Sequence, residues 1–113
     1  MNTINNIISN NKKDKISVLI ASYLEANYVN MIRKVDDHIM VNYHPELLPQ
    51  PRYPADHDGS PFTRTKQQEE KWIELLKQAD ILFDFDQTHL NDLPDLTTNI
   101  KWIQATSSGI GQL

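Results

Sequence analysis

With 113 residues, 39% hydrophobic and 23% charged, the chain has the size of one globular domain with a modest core, too short for a two-domain enzyme. A formal net charge of -4 offers no basic field to a phosphate backbone, which argues against nucleic acid, and the lack of cysteine removes disulfides and thiolate nucleophiles. No apolar run approaches the roughly 20 residues a bilayer crossing needs, so no membrane contact and a cytoplasmic location are expected.

Residues 1–15 are expected to form a disordered leader, because five asparagines and then Lys12, Lys13 and Lys15 surround only Ile4, Ile7 and Ile8. A secretory signal would place its charge before a continuous apolar segment, which is the opposite order. Ile16 to Ala21 is a continuous apolar run of strand length, suited to a parallel strand buried on both faces. Ser22 and Glu25 stand at capping-box spacing and predict a helix whose apolar stripe is Leu24, Tyr28, Met31, Ile32 and Val35. Ser22 then has two uses, as a cap or as a contact for a ligand at the strand's carboxyl end.

His38 to Tyr43 reads as a second strand after a turn at Asp36 and Asp37. From His44 to Thr65, five prolines and the Asp58-Gly59 pair predict a long ordered loop, and loops of that length tend to be functional. His44, Asp56, His57 and Asp58 are metal-ligand types without a metal-ligand spacing, so no metal is expected. Arg52 and Arg64 could take a carboxylate but are expected to pair at the surface.

Thr65 and Gln68 form a second capping box, opening a helix over 66–79 with Trp72, Leu75, Leu76 and Ala79 inward and its charges solvated. Asp80 to Phe85 is a third strand, ended by Asp86, Gln87 and Thr88. Leu90, Leu93 and Leu96, interrupted by Pro94, predict a short helical turn, and His89 is expected to be a surface or packing residue. A fourth, buried strand around Trp102, Ile103 and Ala105 follows. The expected fold class is α/β, a flavodoxin-like open parallel sheet, incomplete at its C-terminal end, with ligands beyond the carboxyl ends of the strands near Ser22, Asp86 and the last turn.

That last turn, Thr106 to Gly111, has two glycines two residues apart beside small hydroxyl residues. Such a turn leaves backbone N–H groups free to face an anion. Gly109-Ile110-Gly111 could begin a dinucleotide turn, but no third glycine or acidic ribose partner follows. Ser107 could mimic a nucleophile elbow, but no histidine follows it in the chain. A carboxylate held by backbone donors needs neither.

The run KWIQATSSGIGQL, with PRYPADHDG and ADILFDFD, resembles the amino-terminal part of the D-isomer-specific 2-hydroxyacid dehydrogenases over nearly all of residues 16–113. The family often has proline after the serine at position 22, where this chain has Tyr23. The resemblance implies a partial substrate-binding domain at 16–113, with the nucleotide-binding domain absent and the chain inactive alone. It implies that Ser108, Gly109 and Ile110 bind the carboxylate of a small 2-oxoacid or 2-hydroxyacid. NAD or NADP would belong to the complete enzyme, a homodimer through the missing domain, with no cofactor bound by this chain alone. The family's catalytic arginine, glutamate and histidine would lie in later sequence, so His38, His44, His57 and His89 are given no catalytic role. The alternative is a stand-alone, non-catalytic binding or regulatory domain of the same fold.

Overall fold

The computed structural model describes residues 15–54, 56 and 59–105. The leader therefore lies outside the described residues, except for Lys15. Four strands, β1 (Ile16–Ile20), β2 (Ile39–Asn42), β3 (Ile81–Phe83) and β4 (Trp102–Gln104), pair in the order β2-β1-β3-β4, every pair parallel. Three helices, α1 (Ala26–Arg33), α2 (Lys66–Gln78) and α3 (Leu93–Leu96), and two 3-10 turns, Pro45–Leu47 and Gln87–His89, lie in the connections. This is an α/β, flavodoxin-like open parallel sheet.

β1 is central because its apolar run can face protein on both sides. Leu19 and Ala21 join the core of Leu47, Leu48, Trp72, Leu76, Ala79, Leu82 and Leu93, while Val18 and Ile20 alternate with them and are equally buried. Each such Leu or Val contributes about 1.5 to 3 kcal/mol by leaving water. Register is explicit: Val18 lies opposite Val41 and Ile81, and Leu82 opposite Leu19 and Ile103.

Two expectations are corrected here. The first helix begins at Ala26 with Glu25 as an N-cap that makes no side-chain capping bond, so Ser22 and Glu25 form no capping box. The later start turns a different face inward: Val29 is buried, whereas Tyr28, Met31 and Val35 are exposed. β4 is an edge strand rather than a buried one, and Trp102 is 57% exposed. By contrast, α2 opens as its sequence requires. Thr65 Oγ1 accepts from the Gln68 N–H, and the Gln68 side chain accepts from the Thr65 N–H. Pro94 falls at the start of α3, where its missing N–H costs nothing, so it begins the short helix rather than breaking one.

Candidate functional site

In a parallel sheet all carboxyl ends share one edge, and here the strand order reverses between β1 and β3. That crevice is where open α/β sheets take ligands. It is floored by Ser22, just after β1, and Asp84, just after β3. Ser22 Oγ donates to Asp84 Oδ2 at 2.7 Å, and both residues are buried. Asp84 has φ 74°, a left-handed conformation that aspartate tolerates better than most residues. Its N–H donates to the Gln104 carbonyl at 2.7 Å and its Oδ1 accepts from Phe85 N–H at 2.9 Å. Asp84 thus turns the chain off β3 while still holding β4 alongside.

Two residues on, Asp86 is closed by protein donors. Trp72 Nε1 donates to its Oδ2 at 2.8 Å, and the Thr88 N–H and hydroxyl donate to its Oδ1 at 2.9 and 2.5 Å. Behind this carboxylate lies Arg64, whose side chain is only 2% exposed. Its Nε donates to the Leu47 carbonyl at 2.8 Å and its Nη1 to Thr88 Oγ1 at 2.9 Å, while the guanidinium sits 4.5 Å from the Trp72 ring centre and 5.3 Å from that of Phe62. Burial pulls the guanidinium below its ordinary pKa, and the charges of Asp86 and Glu69 oppose that pull. The expectation of a surface ion pair for Arg64 is therefore corrected: it is a buried cross-brace, with its Nη2 unpaired among the described residues.

His89 touches the same cluster. Its Nε2 lies 3.0 Å from Glu69 Oε1 and its Nδ1 3.0 Å from Asp92 Oδ1, so neither ring nitrogen is left for a substrate. It packs and pairs, and Glu69 on α2 is tied to it rather than simply solvated.

On the β1 and β2 side of the same edge, Tyr43 fixes the connection after β1. Its hydroxyl donates to the Leu24 carbonyl at 2.7 Å and accepts from the Leu24 N–H at 3.1 Å, and burial raises its pKa. Beside it Tyr23, Glu25, Pro51, Arg52, Tyr53 and Pro54 line an open cleft of about 310 Å³. Arg52 shapes that wall by donating from Nε and Nη2 to Asp56 at 2.8 and 3.2 Å. These bonds, with the N–H groups of Arg52 and Gly59, hold the Asp56 carboxyl well below the ordinary carboxylate range.

The residues expected to meet at the carboxyl edge divide as follows. Ser22 and Asp86 are there, but both are committed to protein partners. Ser108, Gly109 and Ile110 lie outside the described residues, as do His57 and Asp58. Among the described residues no group of three metal-ligand side chains could hold an ion, and no helix is long and apolar enough to cross a membrane. Asp84 was missed by sequence reasoning. Its signal is local: an aspartate ending an apolar strand is one of the few residues suited to positive φ.

The connection after β1 lacks the features of a dinucleotide-binding turn. The connection from Ser22 to Glu25 contains no glycine, and Glu25 would set a negative charge against a pyrophosphate at the start of α1. Compared with known proteins, the chain matches no family model, no curated protein and no solved structure.

Proposed function

We propose that this chain is the substrate-binding part of an NAD- or NADP-dependent D-2-hydroxyacid dehydrogenase, contributing the site for the carboxylate of a small 2-oxoacid or 2-hydroxyacid. Backbone N–H donors of Ser108, Gly109 and Ile110 hold the carboxylate, because a glycine-containing turn lets an anion approach the main chain without a charged side chain. The observation that carries this reading is the run KWIQATSSGIGQL, whose first part is β4. The β2-β1-β3-β4 order supports it, since β4 ends at the edge where such sheets take ligands. The nicotinamide, the orienting arginine and the acid/base histidine belong, in this reading, to the enzyme's nucleotide-binding domain. A cytoplasmic location and a homodimer formed through that domain go with it.

The test compares pyruvate with acetone, which lacks the carboxylate, by amide chemical shifts of the isotope-labelled chain. Pyruvate should move the amide signals of residues 108–110 and acetone should not. Ser108→Ala should leave the pyruvate response nearly unchanged, whereas Gly109→Val should reduce it by crowding the approach. Equal responses to pyruvate and acetone, or unchanged binding in Gly109→Val, would overturn the proposal. So would stoichiometric NADH binding by this chain alone in a fluorescence titration, which would favour a nucleotide-binding module.

A further inference from the structure

The cluster at the carboxyl end of β3 contains one group whose hydrogen bonds cannot all be kept when it loses a proton. His89 is 13% exposed in its side chain and sits between two carboxylates from different elements: Glu69 in the first turn of α2, and Asp92 just before α3. A neutral imidazole carries one N–H and one lone pair, so it can donate to only one of them and turns its lone pair toward the other at 3.0 Å. Only the doubly protonated ring satisfies both.

We propose that His89 is a pH-operated clasp that, in its protonated form, fastens the segment 87–96 to the amino-terminal turn of α2 and loosens it on deprotonation. The tie acts beside two others, the Thr88 bonds to Asp86 and Arg64 and the burial of Leu93 in the core. α3 is a single four-residue turn, too short to be stable by itself, and of its leucines only Leu93 is buried. The charged groups facing His89 among the described residues are Glu69 from α2, Asp92 from its own connection and, through space, Asp86 from the end of β3. Arg64 reaches Glu69 Oε1 at 3.5 Å and competes for it. Burial by itself disfavours the charged ring, but the hydrogen bonds to Glu69 and Asp92, with the charges of Asp86 and Glu69, raise the pKa above its ordinary 6.5. With a raised folded value, the stabilisation is complete below about 6.5 and is lost as pH rises through that folded value.

The experiment is an NMR titration of the whole chain. The His89 ring signals, assigned with His89→Gln, give its pKa, and amide exchange across 87–96 is corrected for the intrinsic pH dependence of exchange. The expected result is a His89 pKa above 6.5, and protection of 87–96 that falls with the same midpoint. The fall should be about tenfold for each unit by which the folded pKa exceeds the ordinary one. Asp92→Asn, which leaves the fold's core untouched, should lower the His89 pKa and flatten the pH dependence. A His89 pKa at or below 6.5, protection of 87–96 that ignores the His89 midpoint, or a pH dependence unchanged in Asp92→Asn would each overturn the proposal.

Discussion

Trp72 and Asp86 tie α2 to the end of β3 through a 2.8 Å hydrogen bond between an indole 0% exposed and an aspartate 1% exposed. A carboxylate in that position is tolerable because four groups compensate it: the indole, the Thr88 amide and hydroxyl, and the charge of Arg64. Asp86→Ala should therefore cost about 3 to 5 kcal/mol in urea unfolding, because it leaves the buried indole and the Thr88 donors without their acceptor and removes one of the two negative charges near buried Arg64, leaving Glu69. Trp72→Phe removes the indole N–H and part of the ring and should cost about 1 to 3 kcal/mol. Against a total of about 5 to 15 kcal/mol, the first change approaches the limit of folding. A cost for Asp86→Ala no larger than for Trp72→Phe would show that the carboxylate is not the hub of the cluster.

The Ser22 and Asp84 pair joins the two strands that flank the crevice. Ser22→Ala leaves Asp84 Oδ2 without its hydroxyl donor and should cost about 1 to 3 kcal/mol. Were Ser22 a helix cap instead, the loss would appear as fraying of α1, with β3 unaffected. Amide exchange separates the two: increased exchange at Phe83 to Phe85 is expected, and increased exchange confined to Ala26 to Asn30 would contradict the structure.

The parts of this fold that were legible in the sequence are those set by neighbours in the chain. Thr65 and Gln68 cap α2 with each other, so four consecutive residues contain the whole argument. Ser22 carries the same motif with Glu25, yet its hydroxyl goes to Asp84, 62 residues away, and no local pattern registers a competitor at that distance. Arg64 reads as a surface cation because its burial is made by Leu47, Trp72 and Thr88, which come from three separate elements. Trp102 reads as core because a central and an edge strand of a parallel sheet can carry the same apolar run, and only the strand order tells them apart. Of the partners of His89, Glu69 was hidden because it lies 20 residues away on α2, whereas Asp92, three residues on, was within local reach.

The loop beside the cleft is held by Asp56 and Gly59. Gly59 has φ 75°, and a Cβ there would come within 2.5 Å of Pro49 Cβ, so Gly59→Ala is both strained and crowded. It should cost about 1 to 3 kcal/mol by the usual penalties for left-handed backbone and overpacking. Asp56 adds a pH signature. Its folded pKa is depressed, so its contribution is present above the ordinary carboxylate value of 3.8 and is lost as pH falls toward and through the lower folded value. Asp56→Asn should remove that acid-side loss, and Arg52→Gln should weaken it, in unfolding curves taken from pH 6 down to about 2. An acid limb unchanged in both variants would assign it to other carboxylates.

Arg64 gives the sharpest discrimination between charge and geometry. Its planar guanidinium reaches the Leu47 carbonyl with Nε and Thr88 Oγ1 with Nη1 while stacking 4.5 Å from the Trp72 ring centre. A lysine keeps the positive charge but has one nitrogen, which does not reproduce the two separate in-plane donors of the guanidinium and does not stack flat on an indole. If geometry dominates, Arg64→Lys should cost about 2 to 4 kcal/mol, since a buried carbonyl loses its donor and the ammonium is more costly to desolvate. Arg64→Met, which fills the space without a charge to bury, should then be no worse than the lysine, because Asp86 keeps its indole and threonine donors. Thermal or urea unfolding of the two variants side by side decides the matter. A lysine variant close to wild type with a methionine variant far less stable would mean that the charge opposite Asp86 and Glu69, and not the fork of the guanidinium, is what this corner of the fold requires.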